Sequence, residues 1–229
     1  MKRILITGAA GGVGSCLVRE YLDRHYYVYA ADIAENPPPL PEGGWEYIRT
    51  DVSDTASVRA LAERLRKSTE SLDIILNASG VLYEKSERRL EDFDIDAALP
   101  MYSVNALGPL RVVQSCVELL RRGEEKLLVN ISSEAGSITT HADYIKRYDY
   151  CMSKCALNMQ SVILARYLAR DGIRVLLIHP GWVRTAMGGP EAPLSPEESA
   201  RGVARTVDAH RHDPENGMYF DYDGTPRPW

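Results

Sequence analysis

The chain has 229 residues, 45% of them hydrophobic and 26% charged, which is enough for one well-buried α/β domain and short for two. A net charge of -5, with Lys and Arg scattered along the chain, argues against a nucleic-acid-binding surface, and no stretch approaches the roughly 18 apolar residues of a membrane span. The apolar run after Met1 is too short for a secretory leader, and the 4 Cys and 5 His show no metal-ligand spacing, so the expectation is a cytoplasmic protein with reduced thiols and no metal.

Short apolar runs alternate with longer amphipathic ones. Ile4 to Thr7 is a buried strand, Val13 to Arg24 a helix, and Tyr27 to Ala31 a second strand ending at Asp32. A proline-rich connector, Pro37 to Pro41, precedes a short third strand at Glu46 to Arg49. Asp54 caps a helix through about Thr69, with Val58, Leu61, Ala62 and Leu65 at core-facing spacing. Leu72 to Asn77 is a fourth strand, apolar on both faces. After a polar excursion from Tyr83 to Asp96, a long helix is expected from about Met101 to Arg122, stopping at Gly123.

Lys126 to Ile131 is the fifth strand, and a helix bearing Tyr150 and Lys154 runs to about Arg170 before a sixth strand at Arg174 to Ile178. Ser195, Pro196 and Glu197 to Glu198 form a capped helix start, and Met218 to Phe220 closes the sheet. The alternation implies a single domain over 1–229 with a Rossmann-type doubly wound parallel sheet of about seven strands and helices on both faces.

Three features carry chemistry. The first strand empties into Gly8-Ala9-Ala10-Gly11-Gly12-Val13-Gly14, which opens a helix, so backbone amides and the positive helix terminus are offered to a pyrophosphate. Asp32, at the end of the second strand, is placed to accept the adenosine ribose hydroxyls and to repel a 2′-phosphate. No Lys or Arg stands at Ala9, Ala10, Gly11, Ile33 or Ala34, so NAD(H) is expected over NADP(H).

Tyr150 and Lys154, four apart on a helix, share one face. A tyrosine serving as base near neutrality must lose about 3 pKa units, roughly 4 kcal/mol, and an ammonium about 4 Å away supplies about that much. Tyr144 and Tyr148 have Tyr148 and Met152 four residues on, so neither gains a lysine partner. Ser132 competes with its neighbour Ser133, and His179 reads as a strand-end packing residue with no partner acid.

The glycine spacing together with Tyr150 and Lys154 resembles the short-chain dehydrogenase/reductase family, and further matches follow in that family's order over essentially the whole chain. Asn77-Ala78-Ser79-Gly80 is similar to its Asn-Asn-Ala-Gly motif, departing at the two middle positions. Asn105 matches the helix-borne Asn, Asn130-Ile131-Ser132-Ser133 the strand end bearing the serine, and Pro180-Gly181-Trp182-Val183-Arg184-Thr185 the segment over the nicotinamide. The stretch His179 to Gly189 and the ending Tyr222 to Trp229 look like the branch of C-factor and Sniffer-type carbonyl reductases. Ser133 and Tyr150 are 17 residues apart, a long loop in keeping with that branch, while Ala186, Cys151 and Cys155 depart from its common residues.

The resemblance implies catalytic roles for Asn105, Ser133, Tyr150 and Lys154, with Ser133 holding the substrate oxygen and Asn105 holding a water linked to Lys154. It implies dinucleotide contacts at Gly8, Gly12, Val13, Gly14, Asp32, Asp51, Val52, Asn77, Ala78, Tyr150, Lys154, Pro180, Val183 and Thr185. The implied reaction is hydride transfer between NAD(H) and a small carbonyl compound or secondary alcohol, in a homodimer or homotetramer built through the helices around Met101 to Arg122 and Tyr150 to Arg170. Loops Glu134 to Tyr148 and Met187 to Leu194 are expected to form the substrate pocket. Two other readings stay open: a dinucleotide-binding signalling or regulatory protein with little turnover, and an NAD-retaining epimerase or dehydratase.

Overall fold

The computed structural model describes residues 1–83, 89–141, 145–212 and 218–229. Its strands are β1 (Arg3–Thr7), β2 (Tyr27–Asp32), β3 (Trp45–Arg49), β4 (Ile74–Asn77), β5 (Leu127–Ile131), β6 (Arg174–His179) and β7 (Tyr219–Asp221). They form one sheet in the order β3-β2-β1-β4-β5-β6-β7, every pair parallel. The order reverses direction between β1 and β4, and a crevice at their carboxyl ends is where such sheets bind ligands.

The alternation of β1 explains the two helical layers. Ile4 and Ile6 face α1 (Gly12–Asp23) and α6 (Pro196–His210), where Leu17, Val18, Tyr21, Val203 and Val207 close one core. Leu5 faces the other way, toward α2 (Thr55–Ser68) and α4 (Gly108–Arg121), with Leu61, Leu65, Val112 and Leu119. The C-terminal half of α5 (Tyr148–Leu168) completes this second layer through Leu164 and Leu168.

The expected caps are present. The Asp54 carboxylate accepts from Ala56 N and Ser57 N at the start of α2, and Ser195 and Glu198 form a reciprocal capping box on α6. The long helix expected from Met101 to Arg122 is instead three pieces: α3 (Ala98–Tyr102), a π-turn over Ser103–Leu107, and α4. Wider π-turn spacing releases carbonyls from the helical ladder, and side chains take them up. Arg111 donates to Ser103 O at 2.9 Å and Gln160 to Ala106 O at 2.7 Å. No helix among the described residues is long and apolar enough to cross a membrane.

Candidate active site

At the end of β1 the backbone packs too tightly for side chains. Gly8 has φ +71, and a Cβ on it would stand 2.6 Å from Ser79 N; a Cβ on Gly14 would stand 1.9 Å from Gly8 O. Gly11 is the N-cap of α1, with no side-chain cap and no acidic residue in the first turn. The helix therefore presents its first N–H groups and its positive end with no carboxylate of its own first turn to answer them. A glycine cradle of this kind fits the pyrophosphate of a dinucleotide.

Two cavities open on either side of this turn. The larger, about 720 Å³, is lined by Gly8, Gly11, Asp32, Asp51, Val52 and Ala78 among others. The Asp32 carboxylate at its wall accepts from Ala10 N at 2.9 Å and Ala34 N at 3.0 Å, tying the glycine turn to the end of β2. Asp51 accepts from the Ser53 hydroxyl and backbone, and Val52 is buried beneath Gly108. Asn77 is not on this wall: it is buried, and its amide donates to Asn130 Oδ1 at 2.8 Å across the sheet. Its own Oδ1 has no hydrogen-bond partner among the described residues. Asn77 thus joins two strands, and Ala78 is the residue of that motif that reaches the cavity.

The sheet also brings in a cation that local sequence inspection missed. Asp32 pairs with Arg49 in the β2–β3 register, and the Arg49 guanidinium reaches Ile33 O at 3.3 Å. The expectation that nothing near Asp32 would pair with a phosphate is corrected here, because parallel pairing juxtaposes residues 17 positions apart.

The smaller cavity, about 380 Å³, is lined by Val13, Ser133, Tyr150, Pro180, Val183 and Thr185 together with Glu134, His141, Arg147, His179 and Met187. Ser133 lies two residues past the end of β5 and caps the turn that follows, accepting from Ala135 N, while Tyr219 OH donates to its carbonyl at 2.5 Å. Its hydroxyl lies near enough to Tyr150 to favour the ionised phenol. Ser132 is occupied elsewhere, donating to Asn158 Oδ1 at 2.5 Å, which separates the two serines. Tyr148 donates to Ile145 O and packs on Phe93; Tyr144 lies outside the described residues.

Lys154 is buried, donates to Ile131 O at 3.1 Å, and stands 5.9 Å from the centroid of the Tyr150 ring. Burial pulls its pKa down to about 8. Burial also pushes the Tyr150 phenol up, and the neighbouring Ser133 hydroxyl opposes this only in part. The expected lowering of the tyrosine by a lysine about 4 Å away is thus corrected. In this arrangement desolvation dominates, and Tyr150 is held protonated.

Asn105 sits in the π-turn, fully buried. It accepts from Val81 N at 2.8 Å and donates to Val81 O at 2.9 Å and to the Ser153 hydroxyl at 3.1 Å. This side chain clamps the loop after β4 onto α5, with Gly80 close to both Asn105 Oδ1 and Lys154 Nζ.

Thr185 donates to Val183 O, accepts from Gly188 N, and lays its methyl against Gly12. Arg184 secures the following loop through Ala192 O and Pro193 O. His179 has the partner acid that the sequence did not reveal. Its Nδ1 accepts from Glu134 N at 3.1 Å, and its Nε2 is 4.0 Å from Glu134 Oε2. The two residues are 45 apart in the chain, and only the β5–β6 pairing joins them.

A family model described as short chain dehydrogenase matches residues 2–193. The chain belongs to this family. The C-signal protein of Myxococcus xanthus is 38% identical over 161 residues, covering 70% of this chain and 95% of that protein. The 1-hydroxy-2-glutathionyl-2-methyl-3-butene dehydrogenase of Rhodococcus sp. (strain AD45) is 31% identical and matches 100% of each chain. Among solved structures, a short-chain dehydrogenase/reductase from Burkholderia multivorans with bound NADP superposes with a TM-score of 0.83 at 31% identity, covering 100% of this chain and 99% of that one. This short-chain dehydrogenase is accordingly an oxidoreductase of a family that works with a nicotinamide dinucleotide on small molecules.

Proposed function

We propose that the protein is an NAD(H)-dependent carbonyl reductase or secondary-alcohol dehydrogenase, with residues 1–229 forming one dinucleotide-binding domain. The observation that carries this reading is the Tyr150 phenol, buried in the wall of a cavity that Ser133 also lines. When bound, the nicotinamide supplies or accepts the hydride. Ser133 holds the substrate oxygen, and Tyr150 gives that oxygen a proton as the carbon is reduced, or takes it in the reverse direction. The upward shift of Tyr150 favours the donating role.

Lys154, still largely charged at neutral pH, donates to the nicotinamide ribose and supports tyrosinate once the proton has left. Gly8, Gly12, Val13 and Gly14 receive the pyrophosphate, Asp32 the adenosine ribose, and Asp51, Val52 and Ala78 the adenine side. Pro180, Val183 and Thr185 cover the nicotinamide side. Asn105 acts through its clamp on Val81, with Asn77 bracing the sheet beneath.

Preference for NAD(H) is supported by the Asp32 carboxylate at the cavity wall; the Burkholderia relative binds NADP, and Arg49 beside Asp32 is the group that would answer a 2′-phosphate here. Exposed Leu107, Leu110, Met159, Ile163 and Tyr167 on the π-turn, α4 and α5 support a homo-oligomer built through these helices.

Hydride transfer is tested by following NADH oxidation over a panel of aldehydes, ketones and diketones with the wild type and Tyr150→Phe. Loss of about 10²- to 10⁴-fold in kcat with NADH binding intact is expected. A folded Phe variant that keeps most of its activity overturns the assignment. The likeness to C-signal favours a second reading, a dinucleotide-binding regulator, which predicts NADH binding and no turnover on any member of the panel.

A further inference from the structure

His179 ends β6 immediately before Pro180 and lies beside the end of β5, where Ile131 pairs with Ile178. That register sets Ser132 opposite His179, and the imidazole reaches on to the backbone of Glu134 in the turn that follows β5. The Glu134 N–H donates to Nδ1, so Nδ1 is the acceptor and the neutral ring carries its proton on Nε2. Nε2 stands 4.0 Å from Glu134 Oε2, beyond hydrogen-bonding distance. Glu134 is instead approached by Arg227, 3.9 Å away, whose guanidinium is anchored on Asp221 at 2.5 Å.

The ring lines the same cavity as Ser133 and Tyr150. It is 8% exposed, and burial lowers its pKa to about 4, with Glu134 opposing the shift and Arg227, His141 and Lys154 adding to it. At neutral pH the wall of the cavity that Ser133 lines therefore offers an uncharged N–H donor.

We propose that His179 is a specificity-determining residue whose Nε2–H donates to a second oxygen of the substrate, adjacent to the reacting carbonyl. The substrate class is then α-oxygenated carbonyl compounds, vicinal diketones and α-hydroxyketones, ahead of plain ketones. A plain ketone presents carbon where this donor needs an acceptor, and a donor desolvated without a partner discriminates against it. The inference rests on the carbonyl-reductase reading and names its substrate.

The test compares butane-2,3-dione with butan-2-one in the wild type, His179→Leu and His179→Gln, with melting temperature and NADH affinity measured for each. In the wild type, the dione binds the NADH-loaded protein at least tenfold more tightly than butan-2-one, as read by ligand-observed NMR. His179→Leu raises KM for the dione at least tenfold with kcat within about threefold and lowers KM for butan-2-one, because the unpaired donor is gone; His179→Gln, which keeps an N–H donor, restores most of the difference. Equal wild-type binding of the two ketones overturns the proposal without recourse to any variant. Parallel losses on both substrates in a folded Leu variant overturn it as well. A wild type that binds the dione selectively yet turns over neither compound rejects the reductase reading and leaves His179 as the recognising group.

Discussion

Gly12 and Thr185 touch across the mouth of the site: a Cβ on Gly12 would stand 2.5 Å from Thr185 Cγ2 and 3.1 Å from its Cβ. The first residue of α1 is therefore small because the segment after β6 leans on it. Gly12→Ala is expected to displace Thr185 and weaken NADH binding about tenfold, roughly 1.4 kcal/mol. The melting temperature should change little, because Gly12 is exposed and outside the cores. Fluorescence titration with NADH checks this, and an unchanged Kd would remove Thr185 from the binding surface.

Asn105 makes three buried hydrogen bonds, two of them to the backbone of Val81. Asn105→Ala leaves Val81 N, Val81 O and the amide's place beside Ser153 without partners, which costs about 2–4 kcal/mol. Urea denaturation should show a lower midpoint. Because Gly80 and Lys154 adjoin the same amide, kcat should fall as well. A variant as stable as the wild type contradicts the clamp.

Lys154 opposes folding at neutral pH. Its folded pKa, about 8, is below its unfolded value, so the unfolded chain binds more protons between about pH 8 and 10.5 and stability rises with pH there. Below pH 8 the full cost of the buried charge is present. Lys154→Met should therefore be more stable than the wild type at pH 7, by at most about 3 kcal/mol, while losing activity. The loss of the donor to Ile131 O takes back part of the gain. The difference between the two should shrink as pH climbs from 8 to 10.5; a methionine variant that melts lower at pH 7 excludes this account.

Asp32, on the wall of the larger cavity, is in register with Arg49 on the neighbouring strand. Asp32→Ser removes the charge that repels a 2′-phosphate and leaves Arg49 to pair with one, so the ratio of NADPH to NADH affinity should shift at least tenfold toward NADPH. Adding Arg49→Ala should reverse most of that shift. If the ratio stays where it was, these residues do not set cofactor choice.

The sequence alone determined the parallel sheet, the glycine turn, the caps at Asp54 and Ser195 and the Tyr150–Lys154 face. Each is a local matter: residue period, backbone freedom, or two side chains one helical turn apart. Even the break in the helix around Asn105 has a local sign, since Gly108 and Pro109 follow it.

The tertiary structure decided what depends on neighbours far along the chain. Ser133 is distinguished from Ser132 because Asn158 claims the latter, and Asn77 turns away from the cavity because Asn130 stands across the sheet. Arg49 comes into register with Asp32, and Glu134 reaches His179, only through strand pairing. The sign of the Tyr150 shift follows from burial, which no residue spacing encodes. Hydrogen-bond partners and desolvation are set by packing between strands and helices, so they become visible only once the chain has closed on itself.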